Sequence, residues 1–464
     1  MAGIFSLPVE ILRHCVNYLD TAALKETRLT SKACRDIATE VLFNVATIRP
    51  TMESADKFAT LIKDQELRRY IHTVYVDTLS EDKKLTDSCS SIYRPANLWE
   101  EEAFTAKLPG PNLLGSHELD LPNLKKIAID NAYACEESDC IRTRLALMRL
   151  LTFASVDTVT IKHYQDSCTF WHPYASHFDH PDVFSKALDK LHISIATWTG
   201  LASSDMDIEL NCRHELFNIH LYTAWLQPLQ SQLTHLTLHC NTYWGVYPRW
   251  QPNNLHFPQL KSLAFGKWTI GFNWQIDFIA SLGDTLEKLV FTSCPILHAM
   301  RMTPRQSSNS WRERLPGTTR GPPPTDQFFP ALRWHTVLPE LESRLPKLKH
   351  FSMARGARGD HFWGRADLSG DEAFDDRYTQ APCIDESRYA VFDFGNGPAE
   401  YVDVTTERGK ERLSWGQKES FFETSTWLER ADEETRKKVQ FPDCEREDRE
   451  ALDAMLATVR GRWA

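Results

Sequence analysis

The sequence predicts an α/β protein, with a small three-helix module ahead of an irregular solenoid of parallel strands. Three observations lead there. Three short helical patterns crowd into Ser6–Phe43. A six-residue template, apolar-x-x-apolar-x-apolar, recurs through the middle of the chain. A Pro- and Arg-rich break at 301–327 interrupts that template, which resumes after it.

The N-terminal helices follow from local chemistry. Pro8 suits a first helical position, where its missing N–H costs nothing. Val9, Leu12, Val16 and Leu19 then recur at helical spacing, and Ile11 and Cys15 widen the stripe. Asp20 is placed to cap a second helix through Leu24. Thr30 or Ser31 is placed to cap a third, with Cys34, Ile37, Ala38 and Val41 as its apolar face. About 40 residues cannot bury all of these side chains. The surplus apolar surface needs another part of the chain or a second protein.

Leu7-Pro8, then Glu10-Ile11-Leu12, then "NYLDTAAL", then Ser31-Lys32 and Arg35, resemble the F-box over Phe5 to about Asn44. The resemblance implies docking on a Skp-type adaptor and, through it, on a cullin ubiquitin ligase. By position it implies that Leu7 and Pro8 sit at the adaptor surface. Ile11, Leu12, Leu24, Leu29 and Lys32 would line or flank the contact. The alternative is a helical cap packed on its own chain.

The template begins at Ile71, Leu124, Val156, Leu188, Leu216, Leu233, Leu260, Leu286 and Leu348. Successive starts are 53, 32, 32, 28, 17, 27, 26 and 62 residues apart. Leucine-rich repeats run at about 20–29 residues, with longer irregular forms. A gap of 17 is too short for a whole unit, so Leu216 or Leu233 begins an irregular one. "LPNLKKI", "FPQLKSL" and "LPKLKHF" share a Pro two residues before the template's first Leu. "IASLGDTLEKLVF" reads as helix, turn and strand. The expected fold is therefore an F-box followed by an irregular leucine-rich-repeat-like solenoid with parallel strands. A plain α/β domain with similar strands is the alternative.

In such an array the apolar template positions point inward and the residues between them line the concave face. Lys190, His192, Asn218, His220, Tyr222, His235, His239, Lys288 and His350 are the candidates. The loop "CNTYWGVYPRW" adds Tyr243, Trp244, Tyr247 and Trp250, which either anchor a partner or fold under to cover the array's edge. Of these, His192, His220, Tyr222, His235, His239, Tyr243, Trp244 and His350 are the expected contacts to a protein target.

The expected organisation is 1–46 F-box, 47–300 repeat array, 301–327 exposed Pro/Arg-rich loop, 328–356 last repeats, and 357–464 C-terminal hairpin and capping helix. The hairpin is expected on either side of Gly395-Asn396-Gly397-Pro398. The helix carries Leu452, Met455, Leu456 and Val459 on one face.

Bulk properties narrow the function. A formal charge of -10 speaks against nucleic acid as partner. There is no apolar run of membrane-spanning length, and "MAGIFSLPVEIL" lacks the pattern of a signal peptide. Eleven cysteines in no regular frame suit a reducing compartment, so the expected location is cytoplasmic or nuclear. No nucleophile elbow, P-loop, dinucleotide fingerprint or H-E-x-x-H motif occurs. His172, His177 and His180 with Cys168, and Cys135 with Cys140, match no regular zinc spacing. No catalytic residue, cofactor or metal is expected. The resemblance, closest to fungal F-box proteins with diverged repeats, implies a substrate-recognition adaptor. A Skp-bound scaffold without ubiquitination and a metal-dependent hydrolase are the alternatives.

Overall fold

The computed structural model describes residues 8–48, 52–77, 121–130, 155–165, 187–196, 214, 216–252, 254–302, 319–321, 325–354, 388–393, 400–402, 433–439 and 442–462. These fall into two compact units. The first holds the described residues up to Ile161 with Ala187 and Leu188; the second holds Lys162–Gln165 and those from Asp189 onward.

The first unit opens with α1 (Val9–Val16), α2 (Thr21–Thr27) and α3 (Lys32–Phe43). Strand β1 (Val45–Ile48) follows, then α4 (Met52–Lys63), α5 (Gln65–Arg68), β2 (Thr73–Asp77) and β3 (Lys126–Asp130). β1, β2 and β3 pair parallel in chain order. The division between the units falls inside β4 (Thr158–Gln165).

In the second unit, β5 (Lys190–Ala196), β6 (His235–Trp244), β7 (Ser262–Trp268) and β8 (Lys288–Thr292) pair parallel in the same way. Helix α6 (Asn273–Ala280) lies between β7 and β8. A second sheet begins with β9 (Ile296–Met302), β10 (Thr319–Gly321) and β11 (Thr325–Phe328). Then come α7 (Trp334–Arg344) and β12 (His350–Ala354), which pairs parallel with β8. β13 (Tyr389–Asp393) and β14 (Glu400–Val402) complete the second sheet, whose order is β10-β11-β9-β13-β14. Helices α8 (Glu433–Val439) and α9 (Glu445–Gly461) end the described chain.

One arrangement recurs at the start of strand after strand. The carbonyl of the residue preceding a strand accepts two successive N–H groups from the start of the next strand. Asn44 O receives His72 N and Thr73 N, and His72 O receives Lys125 N and Lys126 N. Lys125 O receives Asp157 N and Thr158 N. In the second unit Asp189, Thr234, Lys261 and Glu287 do the same for β6, β7, β8 and β12, at 2.7–3.1 Å. Two residues before each of these strands an apolar side chain is fully buried: Ile71, Leu124, Val156, Leu188, Leu233, Leu260, Leu286 and Leu348. The shared Pro starts a tight turn: Leu124, Leu260 and Leu348 each donate an N–H back to the carbonyl of Leu121, Phe257 and Leu345. Eight of the nine template matches thus mark a strand.

The ninth does not. Leu216–Leu226 is a π-helical segment, so the expected strand at Leu216 is corrected. Leu216, Phe217, Leu221, Trp225 and Leu226 are buried at spacings of four to five, which is the repeat of that wider helix. It supplies the helical layer before β6, which is why the gap to Leu233 is short. The 301–327 stretch also differs from the expected exposed loop. Its end forms β10 and β11, with β10 antiparallel to β11 and β11 antiparallel to β9, and Asp326 and Gln327 are buried. β13 and β14 pair antiparallel as expected, while the turn at Gly395–Pro398 lies outside the described residues.

The C-terminal helix packs on α7 and β12. Leu452, Met455 and Val459 are buried, and Leu456 is half-buried. Arg462 donates to the carbonyls of Leu345, Leu348 and Glu342, tying the helix to the turn before β12. Gly283 makes the packing of α6 on α7 close: a Cβ there would lie 2.2 Å from the Arg344 carbonyl oxygen. Gly283→Ala should therefore lower stability by about 1–3 kcal/mol. Gly461→Ala, whose Cβ meets nothing within 4 Å, should not. Chemical denaturation of the two variants side by side reads the difference.

Candidate docking surfaces

The N-terminal helices hold themselves together. Asp20 caps α2 by accepting the Ala23 N–H at 2.8 Å, and Ser31 caps α3 by accepting the Cys34 N–H at 3.1 Å. Pro8 stands just ahead of α1, one place earlier than its expected first helical position. Leu12 and Val16 from α1, Leu24 from α2, and Ile37 and Ala38 from α3 form a core, with Val41 and Leu42 packed against it. Arg13 pairs with Glu40 at 2.7 Å across α1 and α3. Arg28 lies over the Phe43 ring, 5.5 Å from its centroid.

That core leaves large apolar side chains outside. Val9 is 50% exposed, Ile11 48%, Tyr18 78%, Leu19 37% and Leu29 77%. Pro8 and Lys32 are exposed as well. Of the residues placed at the adaptor surface by resemblance, Pro8, Ile11, Leu29 and Lys32 are therefore accessible. Leu12 and Leu24 are buried in the module's own core and are not on its surface: they turn inward from α1 and α2 to pack with Ile37. Leu7 lies outside the described residues.

The second candidate surface is the polar face of the sheet in the second unit. Strand alternation puts Lys190, His192 and Ser194 on one face and Leu191, Ile193 and Ile195 on the other. The register aligns Lys190, His235, Ser262, Lys288 and His350 in one row across β5, β6, β7, β8 and β12. All five are half-buried. The next rows are deeper. His192 shares a hydrogen bond with Thr237 Oγ1 at 2.9 Å through Nδ1, and Ser194 Oγ with His239 Nδ1 at 3.1 Å. His192, Ser194, Thr237 and His239 are buried. Gly266 leaves room for the His239 ring, since a Cβ there would meet its Cδ2 at 2.1 Å. The expectation that His192 and His239 are open to a partner is thus corrected. Small neighbours let the imidazoles lie down across the sheet and bond to hydroxyls of the adjoining strand.

His220 and Tyr222 are half-buried on the π-helical segment and do not belong to the strand row. In the aromatic loop, Trp244 and Trp250 are buried, with Trp244 Nε1 donating to the Gly266 carbonyl at 2.8 Å. Both meet Phe265 edge-to-face, as Trp250 meets Trp268, and Phe265 and Trp268 stack on each other. Trp244 is part of the core and cannot anchor a partner; Tyr243 is half-buried. The indole area is too large to leave wet when a sheet edge lies beside it.

The buried thiol of Cys294 is chemically quiet. Burial pushes the Cys294 thiol up to about 12, and it donates to the carbonyls of Phe265 and Thr292. The His172–His180 segment, Cys135, Cys140 and Cys168 lie outside the described residues. Among the described residues no helix is long and apolar enough to cross a membrane.

The three helices thus enclose a core of their own and keep apolar side chains on the outside. The family model of the F-box domain matches residues 4–45, so the N-terminal segment of the chain is an F-box domain. No curated protein matches it. F-box proteins are usually non-enzymatic adaptors, and the domain implies binding to a Skp-type adaptor in an SCF-type ligase.

The caps are the accessible test of the module's integrity. Ser31→Ala should cost about 0.5–2 kcal/mol and speed amide hydrogen exchange across 32–43. Glu40→Gln removes one exposed pair and should cost no more than about 1 kcal/mol. Exchange followed by mass spectrometry separates the two.

Proposed function

We propose that the protein is the substrate-recognition adaptor of an SCF-type cullin ubiquitin ligase, working in cytosol or nucleus. Its F-box docks on the Skp-type adaptor through Pro8, Ile11 and Leu29, with Lys32 beside them and Leu7 extending the contact. Leu12 and Leu24 act from beneath, holding α1 and α2 where these side chains are presented. The observation that carries this reading is the exposure of Ile11 and Leu29 on a module whose core is already complete. Fully covering a leucine or isoleucine side chain stabilises a complex by about 1.5–3 kcal/mol. Two of them account for a substantial share of an ordinary interface.

The target is a protein, held on the polar face of the second unit. The half-buried row of Lys190, His235, Lys288 and His350 is the most accessible part of that face, with Tyr222, His220 and Tyr243 as further candidates from its surroundings. Ubiquitination follows from the ligase carrying the target close to the enzyme, which raises its effective concentration without any bond chemistry by this chain.

Replacing Ile11 and Leu29 together by Asp tests the docking. Leu29 is mostly in water and Ile11 is half exposed, so the stability should stay within about 1 kcal/mol of the parent. Co-purification of the Skp-type adaptor and cullin should fall at least about 100-fold, while the target remains bound. Undiminished binding by the double variant would overturn the assignment. A target that fails to accumulate when the proteasome is blocked would instead support a Skp-bound scaffold without ubiquitination.

A further inference from the structure

The C-terminal helix is fastened by one carboxylate. Asp448 is completely buried. Its Oδ1 accepts the His335 backbone N–H at 2.9 Å and lies 2.9 Å from His335 Nδ1. Its Oδ2 accepts the Tyr389 hydroxyl at 2.9 Å, Cys444 Sγ at 3.3 Å and Arg388 Nε at 3.3 Å. An imidazole nitrogen and a thiol thus converge on the two oxygens of one buried carboxylate. The three potential ligand atoms all lie within 4.8 Å of one another.

We propose that His335, Cys444 and Asp448 form a binding site for a thiophilic divalent cation, zinc being the best fit. The donor set is one nitrogen, one sulfur and one oxygen, which is the chemistry zinc selects. Zinc bonds of about 2.0–2.3 Å imply ligand-to-ligand separations of roughly 3.3–3.6 Å in a tetrahedron. The three ligand atoms, all within 4.8 Å of one another, have to shift by at most about 1.5 Å to meet those separations. The protons now directed at the carboxylate are those a cation replaces. Binding releases the Cys444 thiol proton to solvent, forms the sulfur–metal bond and leaves His335 neutral with its remaining proton on Nε2. His335 is a third exposed, which gives the ion a way in and the fourth position a water. Tyr389 does not compete for that position as an anion, since burial pushes its hydroxyl well above the ordinary tyrosine range.

Two neighbours bear on the charge. Arg388 gives up its contact to Oδ2 on binding and turns to Glu445, whose carboxylate is already 4.0 Å from the guanidinium. The site joins α7, β13 and α9, so a bound ion fastens the last helix to the repeat region. It does not involve the F-box and stands or falls apart from the docking reading.

The test uses the purified full chain, stripped with a chelator and titrated with cobalt(II). The wild type should show one saturable site with a thiolate-to-cobalt charge-transfer band that zinc abolishes. Cys444→Ser should lose that band, and His335→Gln should weaken uptake at least about tenfold. Zinc should also raise the melting temperature of the wild type and leave that of Cys444→Ser unmoved. A wild type with no saturable band overturns the proposal, as does a Cys444→Ser protein that keeps the wild-type band. Should Cys444→Ser fail to fold, His335→Gln decides: unchanged cobalt affinity overturns it.

Discussion

The paired acceptance of two consecutive N–H groups by one carbonyl at the start of each strand is the constraint on which both units depend. A parallel strand has no hairpin partner to fix its register, and its crossover connection runs a dozen residues or more. Slippage by one residue would turn every apolar side chain to the other face. The clamp removes that freedom, because the carbonyls of Asn44, His72, Lys125, Asp189, Thr234, Lys261 and Glu287 each seize the start of the following strand. The buried side chain two residues upstream makes the clamp hold: it anchors the chain before the turn, so the two N–H groups arrive already aimed. An unmade bond there would leave a buried amide unsatisfied at about 1–3 kcal/mol. The anchor and the clamp therefore support each other.

This coupling explains why so much of the sheet was legible in the sequence. Each strand needs the same three apolar positions, so the template recurs at Ile71, Leu124, Val156, Leu188, Leu233, Leu260, Leu286 and Leu348. Pro122, Pro258 and Pro346 recur because the turn before the strand is the same turn. The template failed at Leu216 because apolar-x-x-apolar-x-apolar says nothing about backbone conformation. Spacing alone carried the distinction, since 17 residues leave no room for a strand and its return. The β10–β11 part of the second sheet was illegible for a different reason, while its β13–β14 hairpin was read from the sequence. β10 and β11 are strands of three and four residues in a stretch dominated by Pro, Gly and Thr, and β11 is buried where it pairs with β9, which a local pattern does not report.

The polar face was legible as a face and not as an environment. Alternation correctly put His192 and His239 opposite Leu191 and Leu238. It could not report that Gly266 on the adjoining strand leaves room for the His239 ring, or that His192 and His239 satisfy themselves on Thr237 and Ser194. The aromatic loop shows the same limit. Four aromatics in eight residues suit either an anchor or a lid, and the outcome was set by Phe265 and Trp268, which offered Trp244 and Trp250 a stack to join.

The N-terminal module inverts this relation between pattern and environment. Its surplus of apolar residues was countable from the sequence, because a three-helix core of that length has a fixed capacity. Which residues form the surplus depends on caps: Asp20 and Ser31 set the angles at which α2 and α3 leave their turns, and those angles choose Leu24 and Ile37 for the interior. Ile11 and Leu29 are left outside as a consequence. Their exposure follows from that packing, in which Leu12 and Leu24 already fill the interior with Ile37. A surface left open in this way offers apolar area that a docking partner can cover.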